Sequence, residues 1–435
     1  LLSLLGHRVL SRRPRRHLVG AVPAGPQYAG PQPAGSQYAG SPRRRRGPAW
    51  YWALLVRRLP RSAAVLSLLV IVGLASPVAA IRIGDADASS DPAGSQSHRY
   101  FTMVADAFGA GFDAQLLLVA TTPDQASAAA FGALVGQVSA TPHVAAVTPV
   151  TVSADGTVAY ATVVPTTSAQ TRTTADLVRH LRDDVIPGAS TGTGLRTYVG
   201  GATATGLDLS EALLGRLPLY LGLVALLGFL LLAVAFRSVL VPLVGAVSNL
   251  TTILVGLGAI TTIFQLGHGS ERLGVGTGAP VMYIVPVITV GVIFGLSMDY
   301  QVFLVSRVHE EWTSSRDNGR AVLVGVAETA QVIVAAATIM VAVFASFGFS
   351  GQRIVSAIGI GLAGAVIVDA LVVRLTLVPA IMTLLGDRNW SYPRWAQRIT
   401  PRLQVEGPAA DEVRQAPGTV LAPAGRGRGQ DDQER

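Results

Sequence analysis

Six stretches of this sequence are long, apolar and almost free of charge, and a chain built that way has few folds open to it. They cover residues 62–81, 217–236, 239–264, 281–306, 321–349 and 354–385. About 20 apolar residues span the hydrocarbon core of a bilayer, and within one segment only a helix satisfies its own backbone there. The sequence therefore reads as an α-helical polytopic membrane protein with six transmembrane helices. Composition agrees: half of the 435 residues are hydrophobic and only 14% are charged, which excludes an ordinary cytosolic enzyme.

The sequence contains neither lysine nor cysteine, so every one of its 34 basic Lys-plus-Arg positions is arginine. That removes disulfides, thiolate chemistry, Schiff-base lysines and the lysine-dependent phosphate loop. No cofactor is expected. Energy-driven work by such a chain needs an ion gradient or a partner ATPase. The net charge of +8 beside long apolar runs is read as a device of membrane orientation and not as a nucleic-acid footprint.

Residues 1–61 carry twelve arginines and no acid, including Arg43 to Arg46 and the pair Arg57 and Arg58. Positive charge is retained in the cytoplasm, so this end is expected there, and six crossings bring the tail from Asp387 back to the same side. Both termini are then cytoplasmic in a multi-pass plasma-membrane protein. Residues 82–216, with twelve acids against seven arginines, fall outside. The organisation expected is a basic linker over 1–61, a first span over 62–81, an external domain over 82–216, a five-helix bundle over 217–386 and a disordered tail over 387–435. Within the linker, residues 20–42 repeat QYAG among Pro, Gly and Ser, a composition that cannot bury a core. The start at Leu1 and the run LLSLLGH read as the end of an earlier apolar helix in a longer polypeptide.

The external stretch alternates strand and helix signals: strands over 115–121, 144–150, 157–164 and 195–201, helices over 124–139 and 173–185. That order, β-α-β-β-α-β, predicts a ferredoxin-like α+β domain inserted between the first two spans. His98, His143 and His180 lack ligand spacing and read as solvated, so no metal site is assigned. Arg179, Arg182, Asp183 and Asp184 read as the wet face of the second helix.

Ionisable side chains inside a span are costly and mark pairs or functional sites. Asp299 lies in the fourth span, Asp369 in the sixth, and Glu328 near the start of the fifth, where it reads as interfacial. Gly291, Gly295 and Asp299 share one helical face, as do Gly361, Ala365 and Asp369, so each acid continues a seam of small residues that lets helices approach closely. Both carboxylates are thereby expected to aim into the bundle, about 27 Å and about 22 Å from the outer ends of their spans. A carboxylate with little water around it titrates nearer neutrality, and an adjacent phenol can bond to a carboxylate or relay its proton. Asp299 with Tyr300 is the candidate proton relay. Asp369 with Arg374, five residues on, reads foremost as an intramembrane ion pair.

FGLSMDYQVFLVSRVHEEW (294–312), VGGATATGLDLS (199–210), FRSVLVPL (236–243) and IGIGLAGAVIVDALVVRLTLVPAIMTLLG (358–386) closely resemble the MMPL family of the resistance-nodulation-division superfamily, over essentially residues 48–402. The resemblance implies one half, the C-terminal one, of a protein with two tandem halves, each holding one helix, a large external domain and five further helices. It implies export of lipids or other hydrophobic molecules driven by proton-motive force, without enzymatic chemistry. Paired Asp-Tyr motifs from the two halves would meet at mid-membrane, with Asp299 and Tyr300 forming one pair. The partners so implied are the other half or a second copy, a hydrophobic or lipid substrate and protons, with a homo-oligomer also open. Two positions depart from the family pattern: Gln301 stands where an acid is common, and Glu328-Thr329-Ala330-Gln331 replaces a segment that is often T-G-R. A non-transporting lipid-sensing or scaffold protein of the same fold is the competing reading.

Overall fold

The computed structural model describes residues 47–392. The proline- and glycine-rich linker, the LLSLLGH run and the tail from Glu406 lie outside the described residues. Among those described, six helices are long and apolar enough to cross a membrane: Pro60–Ala80, Ala202–Phe236, Leu240–Gln265, Ile284–Ser315, Asn318–Gly348 and Arg353–Trp390.

The chain first forms α1 (Pro48–Arg58) and α2 (Pro60–Ala75). The sequence grouped α1 with the linker, but Ala53 and Val56 are buried and Trp52 Nε1 donates to the Leu375 carbonyl at 3.0 Å. Two tryptophan- and leucine-rich turns therefore dock on the bundle despite their flanking arginines. After the link to residue 95 comes α3 (Gln96–Phe108), amphipathic and capped by Ser95, which the sequence reading had not resolved.

The inserted domain holds β1 (Leu116–Thr121), α4 (Gln125–Ser139), β2 (Val144–Val147), β3 (Thr151–Val152), β4 (Val158–Pro165), α5 (Arg172–His180), α6 (Ile186–Ser190) and β5 (Arg196–Gly200). Its small sheet is antiparallel throughout, ordered β2-β4-β1-β5, with β3 also on β4. Alternation explains the layering: Leu116, Leu118 and Ala120 of β1 and Ala159, Ala161 and Val163 of β4 point one way onto Phe131, Leu134 and Leu181 of the helices. The helix expected over 173–185 is interrupted by a π turn at Leu181–Val185.

Then α7 (Ala202–Phe236) leaves the sheet and enters the membrane as one helix of 35 residues. At 1.5 Å per residue it is about 52 Å long, against about 30 Å of hydrocarbon, so its first turns stand outside. The sequence located its start at residue 217, because the earlier turns carry Asp208, Glu211 and Arg216 and fail an apolar test. Pro218 lies inside it and leaves the Leu214 carbonyl without its helical donor.

The remaining spans are α8 (Leu240–Ile260, continued by a π turn), α9 (Ile284–Ser315), α10 (Asn318–Gly348) and α11 (Arg353–Val368). A nine-residue π segment, Asp369–Leu377, joins α11 to α12 (Val378–Leu385). One apolar core lies at the end of the bundle nearest the inserted domain, around Ile260, Phe264 and Val285, and another at the far end, around Leu304, Val326 and Ile333. The first residues of the expected tail belong to that far end: Asn389 donates to the Met382 carbonyl at 2.6 Å and Trp390 stacks on Trp312.

Candidate proton site in the bundle

The charged centre of the bundle is built by α8, α9 and the π segment. Asp369 and Arg374 are 4% and 3% exposed, and Arg374 Nε meets Asp369 Oδ2 at 2.7 Å. Five residues along an α-helix turn a side chain about 140° away from its starting face. The wider winding of a π helix, whose hydrogen bonds run from i to i+5, brings the two together. The ion pair expected from the sequence is thus present, by a backbone geometry that spacing alone does not reveal.

The second carboxylate oxygen is also satisfied. Thr252 Oγ1 of α8 donates to Asp369 Oδ1 at 3.0 Å and Ser297 Oγ of α9 reaches it at 3.2 Å. Arg374 Nη2 donates to the Ser297 carbonyl and lies 2.6 Å from Ser297 Oγ. Ser297 Oγ also lies 2.6 Å from Asn249 Oδ1. A buried ion pair is tolerated when further hydrogen bonds take up its remaining lone pairs and protons, and that condition is met here. Sequence reasoning passed over Ser297, Thr252 and Asn249. Their signal was polarity inside apolar spans, with Asn249 and Thr252 within one turn of each other.

The seam behind Asp369 is closed within the chain. A Cβ on Gly361 would stand 2.5 Å from Ile260 Cδ1, and one on Gly256 would stand 3.2 Å from Ala365 Cβ. Backbone of α8 and α11 touches there because neither side carries bulk.

The other seam differs. Gly291, Gly295 and Asp299 form an exposed line on α9, and nothing lies within 4 Å of where a Gly295 Cβ would be. Among the described residues no hydrogen bond or ion pair reaches the Asp299 carboxylate. The expectation that it aims into the bundle of this chain is therefore corrected. The helical face shared with the two glycines points away from α8 and α11, because the opposite face carries Ile293, Ser297 and Gln301 into the core.

Tyr300 stands between the two environments. Its ring lies 5.7 Å from the Arg374 guanidinium carbon, and its hydroxyl donates to Met340 Sδ of α10 at 3.0 Å, not to a carboxylate. Gln301 is 3% exposed, its amide seated against Gly245 with Nε2 unpartnered. An acid at that position would be buried without a cation, which accounts for the amide. Glu328 accepts from Arg307 Nε at 2.6 Å, and Arg307 also binds Glu310, so the far end carries its own charge cluster.

The arginines of the inserted domain are also more than a wet face. Arg182 binds both carboxylate oxygens of Asp208 on α7, with Nη2 to Oδ2 at 2.9 Å, and donates to the Val199 carbonyl at 2.8 Å. The Asp208 carboxylate holds the Arg182 guanidinium above its usual range. Arg179 Nε meets Glu211 at 3.0 Å one turn along. Together they clamp the inserted domain to the emergent part of α7.

The profile of the MMPL family matches residues 91–407. The chain is 34% identical over 358 residues to "Membrane protein YdfJ" of Bacillus subtilis, covering 82% of this chain and 49% of that protein. It is 31% identical over 363 residues to "Mycolic acid-containing lipids exporter MmpL11" of Mycolicibacterium smegmatis, covering 82% and 38%. To "Heme uptake protein MmpL11" of Mycobacterium tuberculosis it is 37% identical over 214 residues, covering 48% and 22%. The chain thus spans about half or less of the length of these relatives.

Proposed function

This chain belongs to the MMPL family, and we propose on that footing that it is the C-terminal half of a two-half transporter that exports lipids or other hydrophobic molecules, driven by proton-motive force. Membership and six apolar helices make it a multi-pass membrane protein. Arginine placement supports cytoplasmic termini, with the inserted domain outside. The strand order β2-β4-β1-β5, with helices between β1 and β2 and between β4 and β5, supports reading that domain as the ferredoxin-like split unit.

The observation that carries the proposal is the position of Asp299: a carboxylate at membrane depth, unpartnered among the described residues, on a glycine-lined face that invites close approach by another helix. Apposed to a second half, that carboxylate loses its water, and proton binding removes the charge. The consequence can travel through α9. Ser297, two residues away, faces inward and holds Asp369 and Arg374, so a rotation of α9 that follows protonation at Asp299 strains the buried network. Tyr300 adds a second link through its ring on Arg374.

The test is Asp299→Asn in vesicles with an imposed pH gradient and a fluorescent lipid cargo. Gradient-dependent export is expected to fall at least about tenfold, which is about 1.4 kcal/mol of coupling. Unchanged export would sink the proton role and favour the lipid-sensing or scaffold reading, while cargo moving only inward would overturn the direction.

A further inference from the structure

Between α2 and α3, residues 82–91 form a strap across the domain end of the bundle, and its two halves are held differently. Residues 82–84 are tied beside α8 and α9: Arg82 N donates to Gln265 Oε1 at 2.6 Å, Val281 N to the Arg82 carbonyl at 2.9 Å and Gly84 N to the Val281 carbonyl at 3.1 Å. Residues 87–89 bind the inserted domain instead. Gln170, just ahead of α5, donates from its backbone N to Asp87 Oδ2 at 3.1 Å and from Nε2 to Ser89 Oγ at 2.5 Å.

Strap, loop and bundle meet at Ser90, which is 1% exposed. Its carbonyl accepts from Thr277 N at 2.9 Å and from Arg353 Nη2 at 2.8 Å. The same Nη2 donates to the carbonyls of Val275 and Thr277, both at 2.7 Å, and Nη1 donates to the Phe264 carbonyl at 3.4 Å. Three acceptors share the two protons of one nitrogen, so the guanidinium is centred on the crossing. Asp91 acts on it by charge, but the Asp91 carboxylate accepts from Ser97 Oγ at 2.6 Å, and among the described residues Arg353 forms no ion pair. Gly276 permits the crossing: at φ +82° a Cβ there would collide with the Ser90 carbonyl oxygen.

Arg353 is also the first residue of α11, which runs without a proline to Asp369. At 1.5 Å per residue the two lie about 24 Å apart along the axis. A turn imposed at the mid-bundle end of such a rod reaches its domain end. That mid-bundle end has two discrete windings open to it: the π form holds Asp369 on Arg374, and the commoner α form parts them.

We infer that Arg353 is a positioning residue that couples the buried ion pair to the inserted domain. Loss of the pair returns residues 369–377 toward α winding and turns α11. Arg353 carries that turn to the Ser90 carbonyl, and Ser89 and Gln170 pass it to α5. Among the described residues no other hydrogen bond joins α11 to the strap, whereas the clamp at Asp208 acts through α7. The coupling rests on the proposed function only for what alters the pair during a cycle.

The experiment is hydrogen exchange read by mass spectrometry on the full chain in lipid nanodiscs, with no pH gradient and no cargo. The probes are amides bonded at the crossing: Asp91 to the Ala88 carbonyl, Thr277 to the Ser90 carbonyl and Gln170 to Asp87. Asp369→Asn should speed them about tenfold, an ordinary size for a coupling between sites, and leave the β1–β4 ladder unchanged. Asp369→Leu with Arg374→Met removes the pair without stranding a charge and should act alike, which separates the response from lost stability. Arg353→Gln should speed the same amides by itself, as the loss of any staple would. Two further readouts decide the matter. In the Arg353→Gln background Asp369→Asn should add less than about twofold, and because coupling is reciprocal, Arg353→Gln should itself speed exchange over 373–377. Gly276→Ala, which lifts the strap without touching a charge, should blunt the response to Asp369→Asn in the same way. Effects of Arg353→Gln and Asp369→Asn that simply multiply, with 373–377 unmoved, would overturn the coupling and leave Arg353 a staple. If coupling fails in a protein that still exports on a gradient, this inference alone falls. Coupling found in a protein that does not export leaves the inference standing and sinks the exporter reading.

Discussion

Asp369 and Asp299 each end a run of small residues at spacing four, yet Asp369 is 4% exposed among donors from Thr252, Ser297 and Arg374, whereas Asp299 is exposed and unpartnered among the described residues. A seam of small residues therefore says that a close approach is wanted without saying by whom. Where α8 supplies Gly256 the approach is made inside the chain. Where the Tyr220 hydroxyl of α7 reaches Gly291 but nothing described stands within 4 Å of a Cβ at Gly295, the face around Gly295 and Asp299 is left for something else.

The contrast breaks most sharply at Arg374. Arg374→Ala strands a buried carboxylate and is expected to cost about 3–5 kcal/mol, read as a lowered unfolding temperature in detergent. Replacing both partners, Asp369→Leu with Arg374→Met, should recover most of that loss. A cost under about 1 kcal/mol for the single change would mean the pair is not desolvated.

Next come the seams. Gly361→Leu must displace Ile260 and is expected to cost about 1–3 kcal/mol. A Cβ at Gly295 meets nothing within 4 Å among the described residues, so in the same unfolding assay Gly295→Leu should stay within about 0.5 kcal/mol. If Gly295→Leu proves equally damaging, the face is covered in solution, and cross-linking from position 295 would identify the cover.

Arg182→Ala releases the clamp on Asp208. Because both side chains are partly solvated, about 1 kcal/mol or less is expected, with faster hydrogen exchange along the first turns of α7 as the readout. The smallest effect belongs to a third kind of aspartate, Asp155, which is fully exposed but accepts from Ser153 and Thr157, holding its carboxyl down to about 2. A depressed folded value stabilises above the unfolded value of about 3.9 and is lost as pH falls through about 2. Protection of the 153–158 turn, taken as exchange relative to the intrinsic rate at each pH, should therefore fall over that window in the native protein and stay flat in Asp155→Asn.

The spans were legible because a run of about 20 apolar residues has one solution in lipid. The strand and helix order of the insert was legible from alternation, and the structure adds that Asp124 caps α4, its carboxylate accepting from Ser127 N at 2.7 Å. Three things were not. The two-residue strand β3 is too short to alternate. The first turns of α7 carry charges that hydropathy scores against, and their pairing with Arg179 and Arg182 is a tertiary contact that hydropathy does not register. The ion pair at 369 and 374 needs a π winding that no spacing rule for α-helices contains. Of the candidate site, the acids were visible as charges where charge is expensive, but their partners were ordinary Ser, Thr and Asn, and exposure of the 291–299 face depends on which chain segments are present to cover it.

The single helix from sheet to far end behaves as an oar. Clamped to the inserted domain through Arg182 and continuous past Pro218, it is one shaft, so a tilt of its bundle end would be passed on to the domain. A tilt of about 10° over a shaft of about 52 Å carries the tip through about 9 Å, more than a helix moves when it slides past a neighbour by one turn.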